Sequence, residues 1–372
     1  MQSYTINTMP LNNNDISQSL QDQVKKAISQ KEALFIHGGK TKHFYGNTVE
    51  ATPLDISPHT GIVEYEPTEL CITVRAGTRL TEIEALLEEN NQVLPFEPPH
   101  YFNVNQPNDN ATIGGAVAAG ISGPRRAYTG SVRDAILGVQ MINGEGEIVT
   151  FGGQVMKNVA GYDLSRLMVR SQGTLGVILN VSLRVLPKPS HELTLKLALS
   201  QEDALKKCQS LRLEQLPVTA TAWFDNALYI RLSASESILE SSKQKLNSEE
   251  FAESSQLWGS IRDHHHPFFD NRSKPLWRFS LPPAADIISR FDNDQLIEWG
   301  GAQRWVHSNA PANIIHSIAE AQKGYATLFQ STVPNITRFT VLDPALLQLH
   351  KSLKMKMDPH GIFNPNRIYQ GL

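Results

Sequence analysis

The chain has 372 residues, 40% of them hydrophobic and 19% charged, with a formal net charge of -3. That length suits two packed domains better than one core or three. The near-balanced charge leaves no basic field to draw the chain onto a phosphate backbone, which argues against a nucleic-acid partner.

Met1 to Asn14 is polar and has no apolar signal core, and no uninterrupted apolar run approaches the roughly 18 residues of a membrane span. The expectation is a soluble cytoplasmic protein without a transmembrane segment, reaching the inner membrane, if at all, through partners. Asp15 is placed to cap a helix whose apolar stripe is Ile16, Leu20, Val24, Ala27 and Ile28. Ala33 to His37 reads as a buried strand leading into a small-residue turn, His37-Gly38-Gly39-Lys40-Thr41. A second strand spans Leu70 to Arg75, and Thr81 with Glu84 has capping-box spacing ahead of a helix carrying Ile83, Leu86 and Leu87. The order suggests βαβ-like connections. Ile136 to Ile142 and Glu147 to Phe151 flank Asn143-Gly144, a hairpin signal. Tyr162 to Val169 reads as helical, and Val177, Val181, Leu183 and Val185 lie on one face of a strand ending at Pro187. Pro187-Lys188-Pro189 can continue neither a helix nor a central strand, so the domain boundary is placed there.

The pattern then restarts. Leu193, Leu195, Leu197 and Leu199 alternate as a strand, followed by a helix capped by Ser200. Strands follow at Val218 to Phe224 and Ala227 to Leu232, with a helix over Ser235 to Leu246. Beyond come a strand at Leu276 to Leu281, strands around Gly300-Gly301, a helix from Pro311 and a strand at Tyr325 to Phe329. Two β-α-β-like halves of this kind suggest an α+β domain of ferredoxin-like character. Asp343-Pro344 opens a last helix as N-cap and first residue, and Asp358 to Arg367 forms a proline-punctuated tail.

The chemistry concentrates in a glycine-rich tract between Thr112 and Ile178. Thr112-Ile113-Gly114-Gly115-Ala116-Val117-Ala118-Ala119-Gly120 has almost no side-chain bulk, so its amides can approach pyrophosphate oxygens or a flat ring. With the turn at 38–41 this makes two separated backbone loops, a pairing suited to a large, doubly phosphorylated cofactor. Gly39-Lys40-Thr41 does not complete a nucleoside-triphosphate loop, because Leu34 stands where that loop needs its first glycine. Neither loop has the G-x-G-x-x-G spacing of a dinucleotide fingerprint. Taken alone, the 38–41 turn reads equally as an ordinary strand-to-strand loop.

Cys71 and Cys208 are the only cysteines and read as buried thiols, and an iron–sulfur cluster normally needs four. No metal site is expected. The adjacent His264-His265-His266 cannot share one face of a helix or strand, so a solvated loop is the reading there. Arg125 and Arg126 are the candidates for clamping a substrate carboxylate, with contact to cofactor phosphates or to a partner subunit as the open alternative. Asp225 and Asn226 fit a hairpin turn.

A series of motifs in fixed order runs along this tract: Glu97-Pro98-Pro99, Thr112-Ile113-Gly114-Gly115, Ala119-Gly120, Gly123-Pro124-Arg125-Arg126, Gly130-Ser131-Val132-Arg133-Asp134, Lys157-Asn158-Val159-Ala160-Gly161-Tyr162-Asp163-Leu164 and Gly173-Thr174-Leu175-Gly176-Val177-Ile178. It resembles the FAD-binding domain of the vanillyl-alcohol oxidase and p-cresol methylhydroxylase family. Glu97-Pro98-Pro99-His100-Tyr101, Phe224-Asp225-Asn226-Ala227-Leu228, Trp299-Gly300-Gly301-Ala302 and Asp358-Pro359-His360-Gly361-Ile362-Phe363-Asn364-Pro365 narrow the resemblance to the FAD-binding subunits of bacterial glycolate oxidases, over nearly the whole chain.

The resemblance implies an α+β protein: a two-subdomain FAD-binding domain of the p-cresol methylhydroxylase type over residues 1–189, then a smaller ferredoxin-like cap over 190–372. Carried over by position, His37, Gly38, Gly39, Lys40, Thr41 and Lys42 form a first pyrophosphate loop, and Thr112, Ile113, Gly114 and Gly115 a second. Ala119 and Gly120 line the flavin, Ser131, Arg133 and Asp134 hold its ring or ribityl region, Val177 and Ile178 cover the adenine side, and Pro98 is also assigned to the cofactor. Relatives with covalent FAD use a histidine in the first loop; here Lys40 follows Gly39 and His37 lies on the strand, so noncovalent FAD is expected. The implied reaction is oxidation of glycolate or a related 2-hydroxy acid to the 2-oxo acid. The implied partners are a homologous larger flavoprotein subunit and an iron–sulfur subunit. Catalytic relatives also carry a histidine-rich segment, then Gly-Asp-Gly-Asn and another histidine, which this sequence lacks. That departure keeps two other readings open: a flavin-bearing electron-relay or structural subunit, and a stand-alone oxidase for another hydroxy acid.

Overall fold

The computed structural model describes residues 13–101, 109–153, 163–291, 294–333 and 336–372. Helix α1 (Ser17–Gln30) buries Leu20, Val24 and Ala27, the stripe its spacing predicts. Its N-cap is Ile16, so Asp15 stands one residue outside and works instead by accepting from the Ser17 amide at 3.0 Å and from its hydroxyl at 2.6 Å. Strand β1 (Leu34–His37) pairs in parallel with β2 (Thr52–Asp55). Then follow β3 (Ile62–Glu66), β4 (Cys71–Arg75), α2 (Leu80–Glu89), β5 (Gln92–Val93), α3 (Ile113–Ala119), α4 (Arg126–Thr129), α5 (Val132–Ala135), β6 (Ile136–Ile142), β7 (Ile148–Gly152), α6 (Leu164–Met168), β8 (Val177–Arg184) and β9 (Leu186–Pro187).

The five-stranded sheet β3-β4-β8-β6-β7 is antiparallel at every pairing, so the βαβ-like connections expected from the sequence do not build it. Among the described residues, β1 and β2 are the one parallel strand pair of this half. The capping-box expectation is corrected as well. Thr81 and Glu84 both lie inside α2, whose N-cap is Arg79, and Glu84 instead meets the His100 ring at 3.2 Å. The β6–β7 hairpin forms as expected, but its turn runs from Asn143 to Glu147: the Asn143 side chain accepts from the Glu145 and Glu147 amides, and Gly146 takes the positive φ of 74°.

A second sheet follows, built from β10 (His191–Ala198), α7 (Gln201–Leu211), β11 (Val218–Phe224), β12 (Ala227–Ala234), α8 (Glu236–Leu246), β13 (Glu249–Glu250), α9 (Ser254–Asp263), β14 (Leu276–Ser280), β15 (Gln295–Glu298), β16 (Gln303–His307), α10 (Ala312–Ala321), β17 (Tyr325–Gln330) and α11 (Pro344–Met357). Its order is β13-β10-β12-β11-β15-β16-β14-β17. Elements β10 to β13 run strand-helix-strand-strand-helix-strand, whereas the run from β14 to β17 has its one α-helix before the last strand. Alternation along each strand divides the sheet's faces. Trp277, Val306 and Leu328 pack with α10 on one side, while Leu276, Trp305 and Phe329 join Tyr45, Ala119 and Ile121 of the first half on the other. Residues after α11 return to the first half, where Phe363 bridges to Leu34 and Ile362 and Phe363 enter its core.

Candidate functional site

Strand β1 delivers the chain into residues 38–42 at the mouth of a cavity lined by both glycine loops. Its floor is two loops pressed together. A Cβ on Gly38 would lie 2.7 Å from the Thr112 hydroxyl, one on Gly39 would fall 1.5 Å from the Asn110 carbonyl, and one on Gly114 would meet Ala76 at 2.6 Å. Only glycine tolerates these approaches. Thr112 is the N-cap of α3 and accepts from the Gly115 amide at 3.3 Å, which fixes the second loop.

Among the described residues, the amides of Gly38, Gly39, Lys40, Thr41 and Lys42 have no intramolecular acceptor. A run of free amides beside a cavity is what an anion such as a pyrophosphate needs. The side chains agree: Lys40, Lys42 and Arg367 line the cavity and no described carboxylate does. Lys42 is 9% exposed, and burial pulls its ammonium down to about 8, partly offset by Asp109 and Asp263. A bound anion would restore that charge. Apolar Ile56, Ala76, Ala118 and Ala119 supply flat walls for a ring system. The donor set and the steric cradle therefore fit FAD.

The cavity brings together His37, Gly38, Gly39, Lys40, Thr41, Lys42, Thr112, Gly114, Gly115, Ala119 and Ile178. Ile113 and Val177 are fully buried in the first core instead. Gly120, Ser131 and Arg133 line a neighbouring cavity of about 480 Å³ together with Arg126, and Asp134 accepts from the Ser131 amide at 2.8 Å to cap α5. Pro98 borders a third cavity, of about 620 Å³. The Lys157 to Tyr162 stretch lies outside the described residues, while Asp163 caps α6 by accepting from the Arg166 amide.

The two arginines differ. Arg125 is spent on internal pairing: its amide and Nε donate to Glu97, its Nη2 donates to Glu192 at 2.6 Å, and Arg231 adds a second cation at 2.9 Å from Glu97. This web ties the first half to β10 and β12. Arg126 stacks over the Trp299 ring at 4.5 Å with its guanidinium at the cavity edge. His264 is not solvated as expected; its ring lies flat on Phe269 with centroids 3.8 Å apart, and burial holds its imidazole well below the usual range. Cys71 and Cys208 are buried free thiols.

Sequence reading missed Tyr45, Gln172, Asn364 and Arg367, which also line the cavity at the glycine loops. Asn364 accepts from the Ile36 amide at 2.7 Å and donates to the Gln172 carbonyl at 2.7 Å, so one tail residue fixes two walls. The motif from Asp358 to Pro365 carried that signal without a role attached.

Residues 16–152 match the family described as FAD binding domain. The chain is 46% identical over 96% of its length, and 99% of the relative's, to glycolate oxidase subunit GlcE of Escherichia coli (strain K12). It is 32% identical over 36% of its length, and 27% of the relative's, to glycolate oxidase subunit GlcD of Bacillus subtilis (strain 168). Among solved structures, p-cresol methylhydroxylase with substrate bound matches at a TM-score of 0.71 and 13% identity over 96% of this chain and 88% of that one, a likeness of fold. The glycine cradle, the free amides and an end-to-end likeness at 46% identity agree: the chain binds FAD and belongs to the glycolate oxidase subunit GlcE family.

Proposed function

We propose that this chain is the FAD-carrying subunit of a complex that oxidises glycolate or a related 2-hydroxy acid to the 2-oxo acid. The observation that carries the reading is the cavity floored by residues 37–42 and 112–115, with free amides, cationic side chains and no described carboxylate on its lining. The amides of Gly38 to Lys42, with the Lys42 ammonium, hold the pyrophosphate, Ala119 and Gly120 flank the flavin, and Ile178 covers the adenine side. Bound there, FAD supplies a two-electron acceptor. The protein's part is to seat it with fixed backbone dipoles and to present the hydroxy acid from the seam between the halves. With only Cys71 and Cys208, both buried, this chain cannot hold a four-cysteine cluster, so electrons leave to a partner: a homologous flavoprotein and an iron–sulfur subunit fit that need. Among the described residues no helix is long and apolar enough to cross a membrane.

FAD is held noncovalently in this reading, because the 38–42 turn offers no histidine. Acid precipitation is expected to leave the yellow colour in the supernatant; colour in the pellet overturns that point. Anaerobic glycolate is expected to bleach the flavin of the assembled complex. A relay role is the second reading, favoured by the absence of the Gly-Asp-Gly-Asn motif and the packing of His264 against Phe269. Bleaching of this chain's flavin without the homologous flavoprotein supports direct oxidation, and an unreduced spectrum there supports relay.

A further inference from the structure

At the seam between the two halves, the 480 Å³ cavity is lined by five cationic side chains, Arg126, Arg133, Arg170, Arg278 and Lys323, and by no described carboxylate. None of the five has a carboxylate within ion-pair distance among the described residues, in a chain whose net charge is -3. Arg278 is the sharpest case. It lies on β14 with 5% exposure, donates from Nη2 to the Tyr45 hydroxyl at 2.9 Å, and has its Nε buried with no partner. Arg170 is held beside it by two tyrosines, donating from Nη1 to Tyr325 at 3.4 Å and from Nη2 to Tyr45 at 3.5 Å. The buried Arg278 guanidinium, with the Tyr45 and Phe329 rings beneath it and no carboxylate in ion-pair contact, has lost water without gaining a directly paired counter-charge. The same cations act on the phenols: burial pushes the Tyr325 hydroxyl up, but Arg170, with the Ser280 hydrogen bond and Arg278, together outweigh it and bring it down to about 8.

The cavity also adjoins the FAD site. Ala119 lines one and Gly120 the other, and Tyr45, on the wall of the FAD cavity, touches both Arg170 and Arg278. An anion seated on these arginines would therefore lie next to the cofactor rather than on a remote surface.

We propose that Arg170 and Arg278, with Arg126 at the edge and the Tyr325 hydroxyl beside them, form a binding site for a small carboxylate at this seam. The planar forks of two guanidiniums match the two oxygens of one carboxylate. The occupant is the carboxylate of the 2-hydroxy acid or of the 2-oxo acid it becomes, so the inference rests on the function proposed above and gives it a substrate site. It also replaces Arg125 with Arg170 and Arg278 as the clamp.

The test uses the FAD-loaded chain and oxalate, an unreactive small dicarboxylate, with binding read from the flavin difference spectrum and by calorimetry. Wild type is expected to bind oxalate, and Arg278→Met is expected to raise its dissociation constant by at least about tenfold with FAD content unchanged. Arg278→Lys, which keeps the charge and loses the fork, is expected to fall between. Should Arg278→Met fail to retain FAD, Arg170→Lys and Tyr325→Phe take its place, each weakening oxalate severalfold. Wild-type affinity in these variants, or no oxalate binding by wild type, overturns the site. Failure of the functional reading looks different: oxalate binding still depends on Arg278, yet glycolate leaves the flavin of the assembled complex unreduced.

Discussion

Gly39 makes the closest approach of any described glycine, with the place of its missing Cβ 1.5 Å from the Asn110 carbonyl oxygen. Gly39→Ala therefore has to separate the two phosphate-facing loops, a strain of about 1–3 kcal/mol by the usual cost of overpacking. That cost falls on the cofactor. The purified variant is expected to show a lower ratio of flavin to protein absorbance and a roughly tenfold weaker affinity for added FAD. Gly259→Ala is the internal contrast, because nothing lies within 4 Å of its Cβ position and it sits in α9. It is expected to keep FAD and to gain about 0.5–1 kcal/mol of stability from helix propensity. At this scale the loops were legible in the sequence because missing bulk is a local property, written at residues 38–39 and 114–115. Tyr45, Gln172, Asn364 and Arg367 were not, since nothing local tells a tail asparagine that it will meet Ile36. Arg125 misled for the same reason: its partners Glu97 and Glu192 are set by the fold, and they leave it no free donor fork for a ligand.

Strands β15 and β16 show how an element can store a protonation state. Glu298 ends β15, is 3% exposed, and accepts from the Trp305 indole at 2.7 Å and the Gln303 amide at 2.9 Å. Burial is the larger effect and pushes its carboxyl up to about 7 despite those two donors. Between the ordinary carboxylate range and pH 7 the folded chain thus holds a proton that the unfolded chain has released. Stability from this group is fully present at low pH and is lost as pH rises toward 7. Glu298→Gln keeps the donor-accepting oxygen and removes the titration. The variant is expected to gain on wild type by roughly 2–3 kcal/mol between about pH 5 and about pH 8. Urea unfolding of the FAD-loaded proteins at the two pH values measures it, and an unchanged gap would place the Glu298 carboxylate in a charged, paired state. The elements themselves were mostly readable, from the leucine alternation in β10 to the Ser200 and Asp343 caps of α7 and α11. Their pairing was not. Strand β4 lies between β3 and β8, and β8 is more than a hundred residues along the chain; no periodicity encodes that choice, which is why an antiparallel sheet stands where βαβ connections were expected.

Across the whole molecule, the tail from Asp358 onward closes the FAD cavity from a distance of over 300 residues. The buried Asp358 carboxylate accepts from the Ile362 amide at 3.1 Å, the Phe363 amide at 2.8 Å and Lys354 Nζ at 2.7 Å. Lys354 also donates to the Thr174 carbonyl at 2.7 Å, which anchors the turn to the first half. Phe363 then fills the first core, and the Arg367 guanidinium donates to the carbonyls of His43, Tyr45 and Asn47 just beyond the 38–42 loop. The tail thus carries chain from the second sheet back to the cofactor wall, so FAD binding and attachment of the second sheet are coupled through it. Asn364→Ala removes its two 2.7 Å bonds and leaves the Ile36 amide and the Gln172 carbonyl without their partner. About 1–3 kcal/mol per stranded group is the expected loss of stability, accompanied by faster release of FAD, because both groups belong to residues that line the cavity. Phe363→Leu, in contrast, shrinks only the core contact; it is expected to lower the unfolding midpoint while leaving the FAD dissociation rate nearly unchanged. Stopped-flow fluorescence of the released flavin and thermal unfolding of both variants separate the two effects. If Asn364→Ala kept FAD as long as wild type does, the tail would be a packing element alone and the cavity would depend only on the two glycine loops.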